Sequence, residues 1–231
     1  MQFWEILQGS FSLIVSFDLE LYQIVLLSLK ISGLATIIAT ILGIITGYLL
    51  VNYESKLTKF FIILLSSLMG IPPVVVGLIV YFVFSSQGPL GVFSILFTPT
   101  AMIIAQVIVV YPIITSLMRQ LLDDFWHRFD DLIKSYNMSV IAILNIFVKH
   151  SSVFILTIIL TGFGRAISEV GAVMIVGGNI DHYTRVMTTA ISLETSMGNL
   201  EKAMSLGIIL IGVTMLANGI VFKFSKGMRY K

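Results

Sequence analysis

Five apolar stretches constrain this chain more than any other feature, each long enough for the ~20 residues that cross the hydrocarbon core of a bilayer. They run over residues 21–51, 60–84, 99–122, 153–176 and 201–224. The 231 residues are 57% hydrophobic and 11% charged, with mean hydropathy +1.01, too apolar for a single water-soluble core. The fold class is therefore all-α integral membrane, because a helix satisfies its own backbone groups in lipid. Residues 21–224 form the membrane domain and 225–231 a basic tail. Ahead of them, Phe3 to Phe17 is apolar but broken at Gln8-Gly9-Ser10, too short to span, and closed by Asp18 and Glu20. Residues 1–20 thus read as an N-terminal interfacial segment. Glu5 is the first charge met, so the basic start of a cleavable signal peptide is missing and the first residues read as part of the mature protein.

The basic residues set the orientation. With five spans, Lys56, Lys59, Arg119, Arg128, Lys134, Lys149, Lys223, Lys226, Arg229 and Lys231 fall on one side, ten of the fourteen Lys and Arg. Only Arg185 and Lys202 lie in loops opposite, with Lys30 near the edge of the first span. The positive-inside rule places the N-terminus outside and the C-terminus in the cytoplasm. The most hydrophilic segment, 119–150, is then cytoplasmic. It interleaves Asp123, Asp124, Asp130 and Asp131 with Phe125, Trp126, Phe129 and Tyr136, as short amphipathic helices do when they offer apolar anchors to another surface.

Within the spans a few residues break the apolar pattern. Lys30 reads as a snorkelling lysine, and Gly43 and Gly47 as a small-residue pair for close helix packing. Gly70-Ile71-Pro72-Pro73 interrupts the second span, since proline removes a backbone donor and kinks a helix. Pro72 and Pro73, with Gly171 further on, are candidates for a kink or gate. The stretch GFGRAISEVGAVMIVGGNI, residues 162–180, places Arg165 and Glu169 four residues apart on one helical face in the fourth span. A charge there costs a few kcal/mol or more, so such residues pair and face protein or water. Two readings stay open: a structural ion pair, or a polar point on a substrate path.

Several function classes find no support. The net charge of +2 is too small to argue for nucleic acid, and with no cysteine there is neither a disulfide nor thiolate metal ligation. No phosphate loop of the GxxxxGK[ST] kind occurs, and neither HExxH nor GxSxG. His127, His150 and His182 are dispersed. No cofactor, metal or catalytic residue is expected in this chain. An odd number of spans leaves no room for two equal inverted halves, which weakens a self-contained secondary transporter; a homodimer would supply the symmetry.

From Leu27 to about Phe222 the chain resembles the membrane subunits of ATP-binding-cassette importers for oxyanions, in the molybdate and tungstate branch. LLSLKISGLATIIATILGIITGYLLVNY is similar to the family's first span, IPPVVVGLIVYFVFSSQGPLG to its second span and outer loop, and TPTAMIIAQVIVVYPIITSL to its third. GFGRAISEVGAVMIVGGNI followed by TRVMTTAISLETSMG resembles the tungstate-type permeases more than the molybdate-type ones. The family's cytoplasmic coupling motif falls here on Asp131-Leu132-Ile133, after Asp130, and then on Asn137 in place of glycine; its terminal Leu-Pro is replaced by Lys149-His150.

The resemblance implies a type I importer permease fold with a cytoplasmic coupling helix. It implies a homodimer, two separate ATPase subunits, an external oxyanion-binding protein and a place in the cell membrane. Tungstate is the first expected substrate and molybdate the second. Asp130, Asp131, Leu132, Ile133 and Asn137 would meet the ATPase subunit. Two other classes stand beside this one: an ATP-independent channel or secondary transporter, and a scaffold subunit without a path of its own.

Overall fold

The computed structural model of the protein describes residues 3–53, 55–136 and 138–229, whose regular secondary structure is entirely helical. Helix α1 (Phe3–Val15) leads into α2 (Leu19–Asn52), which Asp18 caps by accepting a hydrogen bond from the Leu21 amide at 2.9 Å. Helices α3 (Lys56–Leu68) and α4 (Pro73–Phe84) follow, then a short 3-10 turn at Gly91–Phe93 and the long α5 (Pro99–Ser135). Next come α6 (Val140–His150), α7 (Ser152–Ile167), α8 (Gly171–Gly177), α9 (Met187–Met197) and α10 (Leu200–Arg229).

Among the described residues, three helices are long and apolar enough to cross a membrane: α2, α5 over Pro99–Ile133, and α10 over Leu200–Ile220. Two bent pairs, α3 with α4 and α6 with α7, bring the number to five if each pair is one span. The bend between α3 and α4 is 109°, far beyond a kink in a continuous 60–84 span. Pro72 and Pro73 both lack an N–H, so two ladder bonds disappear together; Pro73 instead starts α4 at its first position, where its fixed φ suits a helix.

The central packing is α2 against α5. Residues Ser28, Ser32, Ala35, Thr36, Ala39, Thr40, Gly43 and Gly47 fall on one face of α2, and all are buried. A Cβ on Gly47 would lie 3.2 Å from the Arg119 amide nitrogen of α5, so the expected small-residue pair serves this close approach.

The 119–150 region departs from expectation. Instead of separate short helices, α5 runs unbroken through Arg119 to Ser135, and only α6 stands apart. No glycine or proline falls between residues 113 and 135. The apolar face of the span also continues through Leu122 and Phe125, both buried. Phe125 meets Phe129 at 4.7 Å and Phe147 of α6 at 5.4 Å between ring centres. At 37 residues α5 is ~55 Å long, well beyond the ~30 Å of a hydrocarbon core.

Candidate functional site

Arg165 and Glu169 do not share a helix. Arg165 is in the last turn of α7, which ends at Ile167, and Glu169 lies in the Ser168–Val170 break before α8. They pair nevertheless, Arg165 Nη1 to Glu169 Oε2 at 3.1 Å, and their surroundings are unequal: the Arg165 side chain is 37% exposed and that of Glu169 only 4%. The other carboxylate oxygen accepts from the Ala172 amide at 3.3 Å, capping the start of α8.

Backbone freed by the break is taken up by side chains from other helices. Gln106 of α5 donates from Nε2 to the Ala166 carbonyl at 3.0 Å and approaches Ser32 Oγ of α2 at 3.4 Å. Thr188 of α9 donates to the Glu169 carbonyl at 2.8 Å. Irregular backbone at membrane depth survives only where protein or water satisfies it in this way. At the far end of α8, Thr184 donates to the Gly177 carbonyl at 2.6 Å. Gly178 then turns the chain at φ +69, and the Phe97 amide donates to the Val176 carbonyl at 2.8 Å.

The two interrupted segments meet. A Cβ on Gly171 would touch Val74 Cγ2 at 2.5 Å, and one on Gly77 would lie 2.8 Å from the Ala172 Cα. The candidate kink residues Pro72, Pro73 and Gly171 are thus neighbours, although a hundred residues of chain separate them. Arg165 and Glu169 sit at the same junction. Sequence reasoning missed Gln106, Thr188 and Gly77 as members of it. Gln106 carried the clearest signal, an amide inside an apolar span; Thr188 and Gly77 carried none without the fold.

A second polar cluster lies where α2, α9 and α10 begin or end. Lys202 donates to Glu20 at 2.7 Å and pairs with the buried Glu194 at 3.1 Å. Arg185 pairs with Asp181 at 2.9 Å. Burial by itself raises the Glu194 carboxyl. Hydrogen bonds from Asn199 and Lys202, with the charges of Lys202 and Arg185, outweigh that and hold it below the ordinary carboxylate range.

The expected coupling residues lie away from both clusters. Asp130, Asp131, Leu132 and Ile133 occupy the last turns of α5. Ser135 donates to the Asp131 carbonyl at 2.6 Å, and Ile133 packs against the α5–α6 core. Asn137 lies outside the described residues. Leu132, Tyr136, Val140 and Ile141 are exposed beside the turn into α6.

The chain matches the family described as binding-protein-dependent transport system inner membrane component over residues 39–230. It belongs to that family. The matched residues take in α3 through α10. It is 36% identical over 219 residues to the tungstate uptake system permease protein TupB of Peptoclostridium acidaminophilum, covering 95% of this chain and 96% of that protein. The protein of the same name from Campylobacter jejuni is 36% identical over 75% of this chain and 73% of its own. A probable anion ABC transporter permease protein of Haloferax volcanii is 36% identical over 88% and 90%. The protein is therefore a multi-pass permease subunit of the cell membrane, a translocation component rather than an enzyme.

Proposed function

We propose that this permease passes a tetrahedral oxyanion, tungstate first and molybdate second, into the cell as a homodimer. A binding protein delivers the anion outside, and two ATPase subunits drive the cycle from the cytoplasm. The observation that carries the substrate is the 36% identity to a tungstate uptake permease across 95% of the chain, running through both the α7–α8 break and the α5–α6 end. Physically, a dianion needs positive potential along its path, and Arg165 is the basic residue at the break; Glu169 neutralises it at rest while part of the guanidinium stays open. The junction of broken segments supplies elements that repack between two arrangements. ATP-dependent uptake of tungstate by the complete complex in liposomes is the direct test; uptake without ATP would give the function to a channel or secondary transporter.

The proposed topology has five spans with the N-terminus outside. Cysteines placed at Gln87 and Ser192 should react with an impermeant reagent on intact cells, and one at Ser139 should not. The reverse pattern would remove the cytoplasmic assignment of the α5–α6 end.

Coupling is proposed to run through Asp130, Asp131, Leu132, Ile133 and Asn137. The exposed apolar residues Leu132 and Ile141 beside charges suit a docking contact. Asp131→Lys should leave insertion and dimerisation intact while ATPase activity loses its response to loaded binding protein. Undiminished stimulation would rule out this end of α5 as the contact.

A further inference from the structure

Gln106 of α5 is 3% exposed, and only one end of its amide is satisfied. Its Nε2 donates to the Ala166 carbonyl at 3.0 Å and approaches Ser32 Oγ at 3.4 Å. Its Oε1 is buried and accepts from no group among the described residues. Ala166 fixes which way the amide points, because a carbonyl only accepts and must face the –NH2 end. A buried acceptor left without a donor carries the full loss of its water.

Ala166 does not depend on Gln106 alone. Its carbonyl also accepts from the Glu169 amide at 3.2 Å, in the turn that ends α7. A methionine would fill the same length with no unmet polar atom, so in this arrangement the amide is a poorer occupant than an apolar side chain. Thr40 of α2 and Thr115 of α5 also have unpartnered hydroxyls. A threonine can turn its hydroxyl onto a carbonyl one turn back, as Thr36 does onto Ser32 at 2.7 Å. Gln106 has no such local remedy, since Oε1 needs a donor and helix carbonyls offer none.

The break supplies the missing chemistry. Ser168–Val170 separates the carbonyl end of α7 from the amide end of α8. A glutamine beside it can hold a carbonyl through Nε2 or an N–H through Oε1, and only the first contact is made. We propose that Gln106 is a positioning residue for transport, acting through the α7–α8 backbone. Nε2 holds the end of α7 in this arrangement, and Oε1 takes a backbone N–H of the 168–171 segment when α8 moves against α7. The proposal rests on the import reading above, because it needs an ATP-driven cycle with two arrangements. A hydrogen bond made in only one of them shifts their ratio by roughly 3–10-fold.

The test follows the motion without the substrate. The chain has no cysteine, so Ser168→Cys gives it a single thiol at an exposed position of the break. Its rate of modification is measured in the complete complex, with and without a non-hydrolysable ATP analogue, with Gln106 intact and with Gln106→Met. With Gln106 intact the analogue should change the rate by roughly 3–10-fold. Gln106→Met should lose most of that change and transport more slowly, while its Tm stays at or above that of wild type. Three results overturn the proposal: no change in rate with Gln106 intact, an undiminished change in Gln106→Met, or a fall in Tm beyond ~4 °C, which makes the amide a structural prop. Absent tungstate uptake with the labelling pattern intact would sink the substrate reading and leave Gln106 assigned.

Discussion

Arg165→Met should destabilise the permease far more than Glu169→Gln, although both break the same ion pair. Without Arg165 the Glu169 carboxylate, 4% exposed, keeps only the Ala172 amide as a donor. Stranding a buried charge in this way costs ~3–5 kcal/mol. Glu169→Gln leaves a neutral side chain whose oxygen can still accept from Ala172, and Arg165 is exposed enough to find water. That loss should be about 1–2 kcal/mol. The double variant removes both charges and should regain much of the stability lost in Arg165→Met. Thermal unfolding of all three variants, with uptake measured beside it, separates the two roles open for the pair. A stable double variant with normal uptake would sink a path role for Arg165, and a stable one that fails to transport would sink a purely structural one. If Arg165→Met proves no worse than Glu169→Gln, the unequal burial is not what governs the pair.

The α7–α8 junction shows what the chain's chemistry reveals and what it withholds. The spacing of Arg165 and Glu169 announced a contact, since i and i+4 residues meet on a helix, and the contact exists at 3.1 Å. The helix does not continue through it. Two residues of β-branched and glycine character, Val170 and Gly171, follow an acid that caps the next segment, and that local competition has no signature in hydropathy. Pro72 and Pro73 were readable as an interruption because proline's missing N–H is a property of the residue itself. The 109° turn they produce depends on where α4 packs, which is tertiary. The polar character of the end of α5 was legible, because its aspartates and basic residues are there in the sequence. Its continuity with the span was not, for the polar composition masked an apolar face that runs on through Leu122, Phe125 and Phe129. The cluster of Glu20, Glu194 and Lys202 was invisible for another reason: its members come from three distant parts of the chain, and no local pattern joins them.

Gly77→Ala should cost stability and uptake where Gly33→Ala, in α2, costs neither. At Gly77 a Cβ would lie 2.8 Å from the Cα and 3.1 Å from the carbonyl oxygen of Ala172, both backbone atoms. No rotamer change relieves such a clash, so α4 and α8 must separate along the junction that also seats Gly171 against Val74. Overpacking of this kind costs about 1–3 kcal/mol, and at roughly 2–4 °C per kcal/mol for a chain of this length the fall in Tm is measurable. Gly77→Val adds two methyl groups to the same gap and should fall further. Gly33 has open space within 4 Å of its Cβ position and lies inside a regular helix. Alanine there should be neutral or stabilising by up to ~1 kcal/mol through helix propensity alone. The comparison holds substitution type and helical setting fixed, leaving the α4–α8 approach as the difference. If Gly77→Ala matches Gly33→Ala in Tm and in uptake, the two interrupted segments need not touch closely in the working permease. If Tm falls and uptake survives, the contact stabilises the fold without taking part in the cycle.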